Sequence, residues 1–108
     1  KTRLLTVMTE ERPYLDPGLT LTDLTRSVGV NTTVLSHLIN KGFDKNFNDF
    51  INEYRINRAK SGLSAADDET VLAIAFDSGF NSKATFNRAF KKFTGMTPRE
   101  YQEKLASS

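Results

Sequence analysis

Apolar residues recur along this chain at the three- and four-residue intervals of amphipathic helices, and turn residues separate the helical stretches. The first predicted helix lies within residues 1–15 and ends before Pro13, because proline disfavours the helical conformation of the residue before it. Asp16, Pro17 and Gly18 then predict a turn. The apolar side of this first helix comprises Leu4, Leu5, Val7 and Met8.

The next stretch predicts two short helices joined by a glycine turn. Thr20 is a suitable N-cap for a helix that runs to about Val28, and Gly29 ends that helix in a left-handed conformation. Asn31 then caps a second helix over residues 32–41. A helix, a short turn containing glycine and a second helix together form a helix-turn-helix. The residues predicted to point inward are Leu21, Leu24, Val28, Leu35, Leu38 and Ile39.

A longer helix follows, which begins at Asp44 or Asn46 and runs to about Lys60. Its apolar side changes along its length, and such a helix can pack against two different bodies. We therefore predict a strut between two subdomains, with an ordinary long helix in a single core as the alternative. The first apolar set is Phe47, Phe50, Ile51 and Tyr54, and the second is Ile56, Ala59 and Leu63.

The two-helix pattern returns in the second half of the chain, which indicates an internal duplication. Thr70, Val71, Ile74 and Gly79 match Thr20, Leu21, Leu24 and Gly29 at an offset of 50 residues. Ser82, Phe86 and Phe90 match Asn31, Leu35 and Ile39 at an offset of 51 residues, so the second turn is one residue longer. A last helix, with Tyr101 and Leu105, is predicted to begin at Thr97 and Pro98.

These patterns predict an all-α fold of about seven helices, in which a long linker helix joins two helix-turn-helix subdomains. Residues 1–45 form the first subdomain, residues 46–63 the linker helix, and residues 64–108 the second subdomain. A chain of 108 residues is long enough for one compact domain or two very small ones.

The composition excludes several classes of function. The chain has no cysteine, which removes thiolate nucleophiles and cysteine-bound zinc, and His37 is its only histidine, which removes a histidine-rich metal site. Without a convergent set of acids and bases, we predict neither an enzyme nor a cofactor. No apolar run approaches the length of a membrane-spanning helix.

Charge is unevenly distributed along the sequence, although the net charge is only +2. Residues 64–78 carry four acidic and no basic residues, whereas residues 79–99 carry five basic and no acidic residues. A run of charge is usually a solvated helical face, but this basic run also contains short polar side chains. The distribution therefore favours an anionic partner.

The second helix of a helix-turn-helix enters the major groove of DNA, and residues near its N-terminus reach base edges. Arg88 is the strongest candidate, because arginine pairs bidentately with guanine; a phosphate contact or a surface salt bridge is the alternative. Asn87 is suited to adenine and Ala84 to a thymine methyl group. Lys83 is equally suited to a base, a phosphate or solvent. The predicted base-reading residues are Thr33, Ser36, His37, Lys83, Ala84, Asn87 and Arg88. The predicted phosphate contacts are Thr32, Asn40, Lys91, Lys92, Pro98 and Arg99, with backbone N–H groups near Leu21, Val71 and Pro98.

Three stretches resemble the AraC/XylS family of bacterial transcription regulators. They are LTLTDLTRSVGVNTTVLSHLI (19–39), NFNDFINEYRINRAK (46–60) and IAFDSGFNSKATFNRAFKKFTGMTPREY (74–101). The resemblance implies a seven-helix DNA-binding domain that inserts two recognition helices into successive major grooves, with Arg55 and Ala59 in structural roles. Ser36 and His37 stand where many members have arginine or another strong donor, so we predict that the first motif binds more weakly or mainly positions the second.

The resemblance also implies the partners and the location. The partners are double-stranded DNA, RNA polymerase as a further candidate, and an N-terminal sensor, effector or dimerisation domain outside this chain. The expected location is cytoplasmic, on the side that faces DNA, in a full-length protein that can also be membrane-tethered. A helical protein-interaction module and an RNA-binding domain are the alternatives, but the sequence has no surplus apolar stripe and no surface-aromatic pattern for stacking bases.

Overall fold

The computed structural model describes residues 2–65 and 71–107, and in these ranges it consists of helices and their connections. The α-helices are α1 (Thr2–Glu10), α2 (Leu21–Val28), α3 (Thr32–Gly42), α4 (Phe47–Ala65), α5 (Val71–Asp77), α6 (Lys83–Thr94) and α7 (Pro98–Ala106). The all-α prediction is confirmed. The chain divides into two compact units, and the boundary between Asn52 and Glu53 lies inside α4.

The first unit contains α1, α2, α3 and the start of α4. Arg3 in α1 ties the first two helices together, because its Nη2 donates to the carbonyl oxygen of Ser27 at 3.2 Å. The rings of Phe43 and Phe50 lie 5.0 Å apart by their centroids and cover the end of α3. The buried apolar residues of this unit are Leu4, Val7, Met8, Tyr14, Leu24, Val28, Leu35, Ile39, Phe50 and Ile51.

Some details of the first unit differ from the predictions. Leu5 was predicted to face inward, but its side chain is 38% exposed, because the buried side of α1 is set by Leu4, Val7 and Met8. The first helix does end before Pro13, as predicted: α1 stops at Glu10, Arg12 has a left-handed backbone (φ 50°), and Pro13–Leu15 form a separate 3-10 turn.

The start and the end of α4 are now defined. Asn46 rather than Asp44 caps the helix, because the Asn46 Oδ1 accepts the Asp49 backbone N–H at 2.8 Å. The helix extends to Ala65, beyond the predicted end near Lys60. Its earlier buried residues, Phe50 and Ile51, lie in the first unit, and its later ones lie in the second. The exact subdomain limits at residues 45 and 63 stay predictions.

The core of the second unit contains a series of aromatic rings in contact, which runs from the turn between α5 and α6 to α7. Ring centroids lie 5.3 Å apart between Phe80 and Phe86, 5.6 Å between Phe86 and Phe90, and 5.4 Å between Phe90 and Tyr101. The Arg55 guanidinium lies 5.9 Å from the centroid of the Phe80 ring. These phenylalanines therefore form core and are not available to stack bases. The buried cluster comprises Ile56, Ala59, Leu63, Ile74, Ala75, Phe80, Phe86, Ala89 and Phe90.

The structure confirms the duplicated helix-turn-helix at the matched positions that it describes. Gly29 and Gly79 both have left-handed backbones, with φ of 84° and 101°. Asn31 and Ser82 cap α3 and α6 through the same kind of bond, since each side chain accepts a backbone N–H three residues further on. The pairs Leu24 and Ile74, Leu35 and Phe86, and Ile39 and Phe90 are all buried. Thr70, the predicted cap of α5, lies outside the described residues.

Two other helices begin with reciprocal capping boxes, in which the cap and the third helical residue exchange hydrogen bonds. In α2 the Asp23 carboxylate accepts the Thr20 N–H at 3.1 Å, and in α7 the Glu100 carboxylate accepts the Thr97 N–H at 2.8 Å. The backbone and side-chain hydrogen bonds from Thr97 lower the pKa of Glu100, and the charge of Lys91 adds to this.

The cap of α7 is expected to make stability depend on pH in the acid range. The folded-state pKa of Glu100 is lowered, so its contribution is present above the ordinary carboxyl pKa of about 4.3 and is lost as pH falls through the folded value. Wild type should therefore be more stable than Glu100→Gln near neutral pH, and the difference should shrink on acidification. Urea unfolding at a series of pH values measures it, with Glu103→Gln as the matched control on the same helix. A difference that does not change with pH would contradict the role of this charge.

Candidate nucleic-acid interface

Helix α6 has one buried and one exposed side. Ser82 fixes its first residue as Lys83, because the Ser82 Oγ accepts the Thr85 backbone N–H at 3.1 Å. Phe86 and Phe90 anchor the buried side in the core of the second unit. The exposed side carries four of the predicted base-reading residues, which are Lys83, Ala84, Asn87 and Arg88. The helix thus presents these side chains together, with no acidic residue in its first turn.

Arg88 has a specific neighbour on its own helix. Its Nη2 donates to the Oγ1 of Thr85 at 3.5 Å, and the same Oγ1 accepts from the Ser82 hydroxyl at 2.9 Å. The guanidinium therefore lies along the helix toward the N-terminal turn. That turn is where a recognition helix approaches base edges.

The predicted phosphate contacts of the second unit differ in their surroundings. Lys91 is exposed, and the Lys92 Nζ lies 5.9 Å from the centroid of the Phe93 ring. Arg99 is exposed and its Nε lies 3.4 Å from a Glu103 carboxylate oxygen. Pro98 is buried and, as a proline, has no backbone N–H to donate. A backbone contact at the start of α7 would therefore have to come from Arg99.

In the first unit, the predicted DNA-contacting residues of α3 lie together at the surface. Thr32, Thr33, His37 and Asn40 are exposed, and Ser36 is partly buried. The Asn40 Nδ2 donates to the Ser36 Oγ at 3.3 Å, which links two of them one turn apart. All of these residues line one open surface depression. Its complete lining is Leu21, Thr32, Thr33, Ser36, His37, Asn40 and Lys41.

Sequence reasoning missed three residues at these surfaces. The Leu21 side chain was assigned to the core and only its backbone to a phosphate contact, yet the side chain is partly exposed and lines the depression of the first unit. Lys41 also lines it and brings a cation there; its spacing of four residues from His37 was the available signal. Thr85 was also missed, although its spacing of three residues from Arg88 on the same helix was an available signal.

Other kinds of site are not found in the described part of the chain. Residues 2–65 and 71–107 contain no group of His, Cys, Asp or Glu side chains that could hold a metal ion. Within the same ranges, no helix combines the length and the apolar character needed to cross a bilayer.

The family of this chain follows from a sequence match over most of its length. The family model described as a helix-turn-helix domain matches residues 24–104, which include α3 and α6. The chain belongs to this family, the AraC-type helix-turn-helix domains of DNA-binding transcription regulators. The resemblance to this family noted in the sequence is thereby confirmed.

Curated relatives are transcription regulators much longer than this chain. An uncharacterised HTH-type transcriptional regulator of Staphylococcus aureus is 39% identical over 89 residues, which are 82% of this chain and 12% of that protein. The melibiose operon regulatory protein of Escherichia coli is 30% identical over 88 residues, which are 82% of this chain and 29% of that protein. The chain therefore spans only a small part of these relatives.

Solved structures share the fold over nearly the whole chain. A Listeria innocua protein of unknown function superposes with a TM-score of 0.80 at 33% identity, covering 94% of this chain and 93% of that one. The C-terminal domain of a two-component response regulator from Fusobacterium nucleatum gives a TM-score of 0.76 at 27% identity, covering 92% and 93%.

Proposed function

We propose that this chain binds double-stranded DNA in a sequence-specific manner, with α3 and α6 as recognition helices in successive major grooves. The observation that carries the proposal is the exposed side of α6, where Arg88 and its polar neighbours lie opposite the buried rings of Phe86 and Phe90. Because its inner side is packed in the core of the second unit, the helix can present its outer side chains to a groove without any change in that core.

Base reading and phosphate binding are divided between different residues in this proposal. Lys83, Ala84, Asn87 and Arg88 read bases from α6, and Thr33, Ser36 and His37 read bases from α3. Arg88 supplies a bidentate contact with guanine, and the shorter side chains add weaker discrimination. Thr32, Asn40, Lys91, Lys92 and Arg99 hold phosphates, which gives affinity and register without sequence information. Pro98 does not itself donate to a phosphate in this proposal; it begins α7 and so positions Arg99.

The relatives support a proposal for the wider role. Their names describe transcription regulators, and they extend far beyond the part that this chain matches. We therefore place the chain as the DNA-binding part of a larger regulator that acts on the cytoplasmic side and performs no catalysis. An N-terminal sensor, effector or dimerisation domain and RNA polymerase are the protein partners in this proposal.

The alternative class is a helical protein-interaction module. The observation in its favour is an apolar pair on α5, since Leu72 and Phe76 are one turn apart and 41% and 49% exposed. This exposed pair was not predicted from the sequence. Two side chains give far less contact area than the roughly 800 Å² per partner that specific interfaces bury. DNA binding is therefore the better-supported class, because it explains the exposed polar and basic residues of α3 and α6, whereas the alternative explains only two apolar side chains.

Selection of bound sequences from random double-stranded DNA, with the 108-residue chain, tests the proposal. If both recognition helices read bases, the enriched sequences should contain two short motifs with centres about 10–10.5 base pairs apart. One motif alone would restrict base reading to a single helix. No enrichment would contradict sequence-specific binding.

The salt dependence of binding separates DNA recognition from the alternative. The logarithm of the binding constant falls with the logarithm of the salt concentration, by about 0.9 for each phosphate that is neutralised. Three phosphate contacts, from Lys91, Lys92 and Arg99, therefore predict a slope of about −2.7 or steeper. Titration of labelled DNA at several salt concentrations measures this slope. Absence of a DNA complex even at low salt would favour the protein-interaction module.

A further inference from the structure

The hydroxyl groups at the start of α6 form a chain that ends at the candidate base-reading arginine. The Ser82 Oγ accepts the Thr85 N–H at 3.1 Å and donates to the Thr85 Oγ1 at 2.9 Å. The Thr85 Oγ1 then accepts from the Arg88 Nη2 at 3.5 Å. The threonine hydroxyl thus bonds to the residue that caps the helix, and the guanidinium lies within hydrogen-bonding distance of that hydroxyl.

The bonding capacity of the groups allows this arrangement to persist during base recognition. A hydroxyl oxygen has two acceptor sites, and Ser82 and Arg88 occupy both on Thr85. A guanidinium has five N–H donors, so one donated to Thr85 leaves enough for a bidentate contact with a base. Arginine loses considerable rotamer freedom when it is ordered, and a partner that orders it before binding reduces that loss in the complex.

The first copy of the motif shows that the cap alone does not produce such a chain. There Asn31 caps α3 by accepting the Val34 N–H at 2.8 Å, which matches the bond between Ser82 and Thr85. Val34 has no hydroxyl, however, and its side chain is 48% exposed. His37 at the position of Arg88 therefore has no equivalent support from the residue three positions before it.

We propose that Thr85 is a positioning residue that orients Arg88 for base reading, so that it sets sequence discrimination without itself reading a base. The proposal rests on the proposed function, in which Arg88 contacts a base pair. On this proposal the two helix-turn-helix motifs differ in their readout: the second has an arginine that a neighbouring hydroxyl orients, whereas the first has a histidine without such a neighbour three positions before it.

The test uses Thr85→Val, which keeps the branched shape and removes the hydroxyl, and Thr85→Ser, which keeps the hydroxyl. The measured quantity is the ratio of affinities for the selected DNA site and for the same site with the Arg88-dependent base pair changed. That base pair is identified with Arg88→Ala. Thr85→Val should reduce the ratio about three- to tenfold, as expected for the loss of one ordering hydrogen bond. Thr85→Ser keeps the hydroxyl and should therefore keep the ratio close to that of the wild type.

A double-mutant cycle separates positioning from a structural role. If Thr85 acts through Arg88, adding Thr85→Val to Arg88→Ala should leave the ratio unchanged. If Thr85 only stabilises the start of α6, the substitution lowers both affinities alike in both backgrounds, which overturns the proposal. A Thr85→Ser variant that behaves like Thr85→Val also overturns it.

The same measurements distinguish this failure from failure of the proposed function. If Arg88→Ala alone leaves the ratio at every base pair unchanged, Arg88 does not read a base, and both the base-reading role and the positioning role are overturned. If Arg88→Ala lowers the ratio while Thr85→Val does not, base reading by Arg88 stands and only the positioning role is lost.

Discussion

Replacing Phe86 with alanine is expected to destabilise the second unit by about 3–5 kcal/mol, the usual cost of removing a fully buried aromatic side chain. Phe86 is 0% exposed, and its ring lies between those of Phe80 and Phe90. The truncation removes the middle of this aromatic series and leaves a cavity that rigid helices cannot readily close. A loss of this size is a large part of the total stability of a small domain.

The measurement should resolve the two units, since the chain contains two cores. Amide hydrogen exchange followed by NMR reports local opening, so Phe86→Ala should reduce protection after Glu53 more than before it. Phe76→Ala is the matched control: it removes the same side chain from α5, where it is 49% exposed. Equal effects of the two substitutions would contradict the assignment of Phe86 to the centre of the core.

A reciprocal substitution tests whether the two copies have separate cores. Leu35 occupies the position in α3 that Phe86 occupies in α6, and it is also 0% exposed. Leu35→Ala should therefore cost about 2–5 kcal/mol and lower protection mainly in the first unit. If it opened both units alike, they would unfold as one.

Most of the fold could be predicted because it depends on local signals that recur. A cap such as Asn31 or Ser82 acts on backbone groups three residues away, and a glycine such as Gly29 or Gly79 takes its left-handed conformation at the turn itself. These signals need no knowledge of the tertiary structure. The burial of Phe86 likewise follows from its spacing on a helix with one apolar side.

The errors concern features that only tertiary packing decides. Leu5 lies beside Leu4 in an apolar stretch, and periodicity does not decide which of two neighbours becomes exposed. Leu21 borders the surface depression of α3 because of how α2 and α3 pack, which their separate patterns do not contain. Thr85 and Arg88 have the i,i+3 spacing of neighbours on a helix, but whether their side chains meet depends on their rotamers, which the spacing does not decide.

Replacing Arg88 with alanine is expected to cost about 1–3 kcal/mol of binding free energy on the selected DNA site, which is about a 5- to 150-fold loss of affinity. The loss on random DNA should be much smaller, because only a matched guanine accepts two hydrogen bonds from the guanidinium in a bidentate contact. Titration of the two DNAs with the same protein preparation measures both losses. Circular dichroism should show unchanged helix content, since Arg88 is exposed and outside the core.

Two control variants separate charge from geometry. Arg88→Lys keeps the positive charge but replaces a planar, two-pronged donor with a point charge, so it should retain the salt dependence and lose much of the guanine discrimination. Lys91→Ala should weaken binding to both DNAs about equally and reduce the salt slope by about 0.9. The contrast between these variants matters more than either loss alone, because any lost cation weakens DNA binding to some extent.

Equal losses on the selected and the random DNA after Arg88→Ala would contradict base reading by this residue. Arg88 would then belong with Lys91 among the phosphate contacts, and specificity would have to arise from Asn87, Lys83 and the α3 surface. In that case Arg88→Lys should behave almost like the wild type, since a phosphate needs charge more than a planar donor. If Arg88 reads a base, the opposite is expected. Arg88→Lys should then bind the selected site about as weakly as Arg88→Ala does, and random DNA about as tightly as the wild type does.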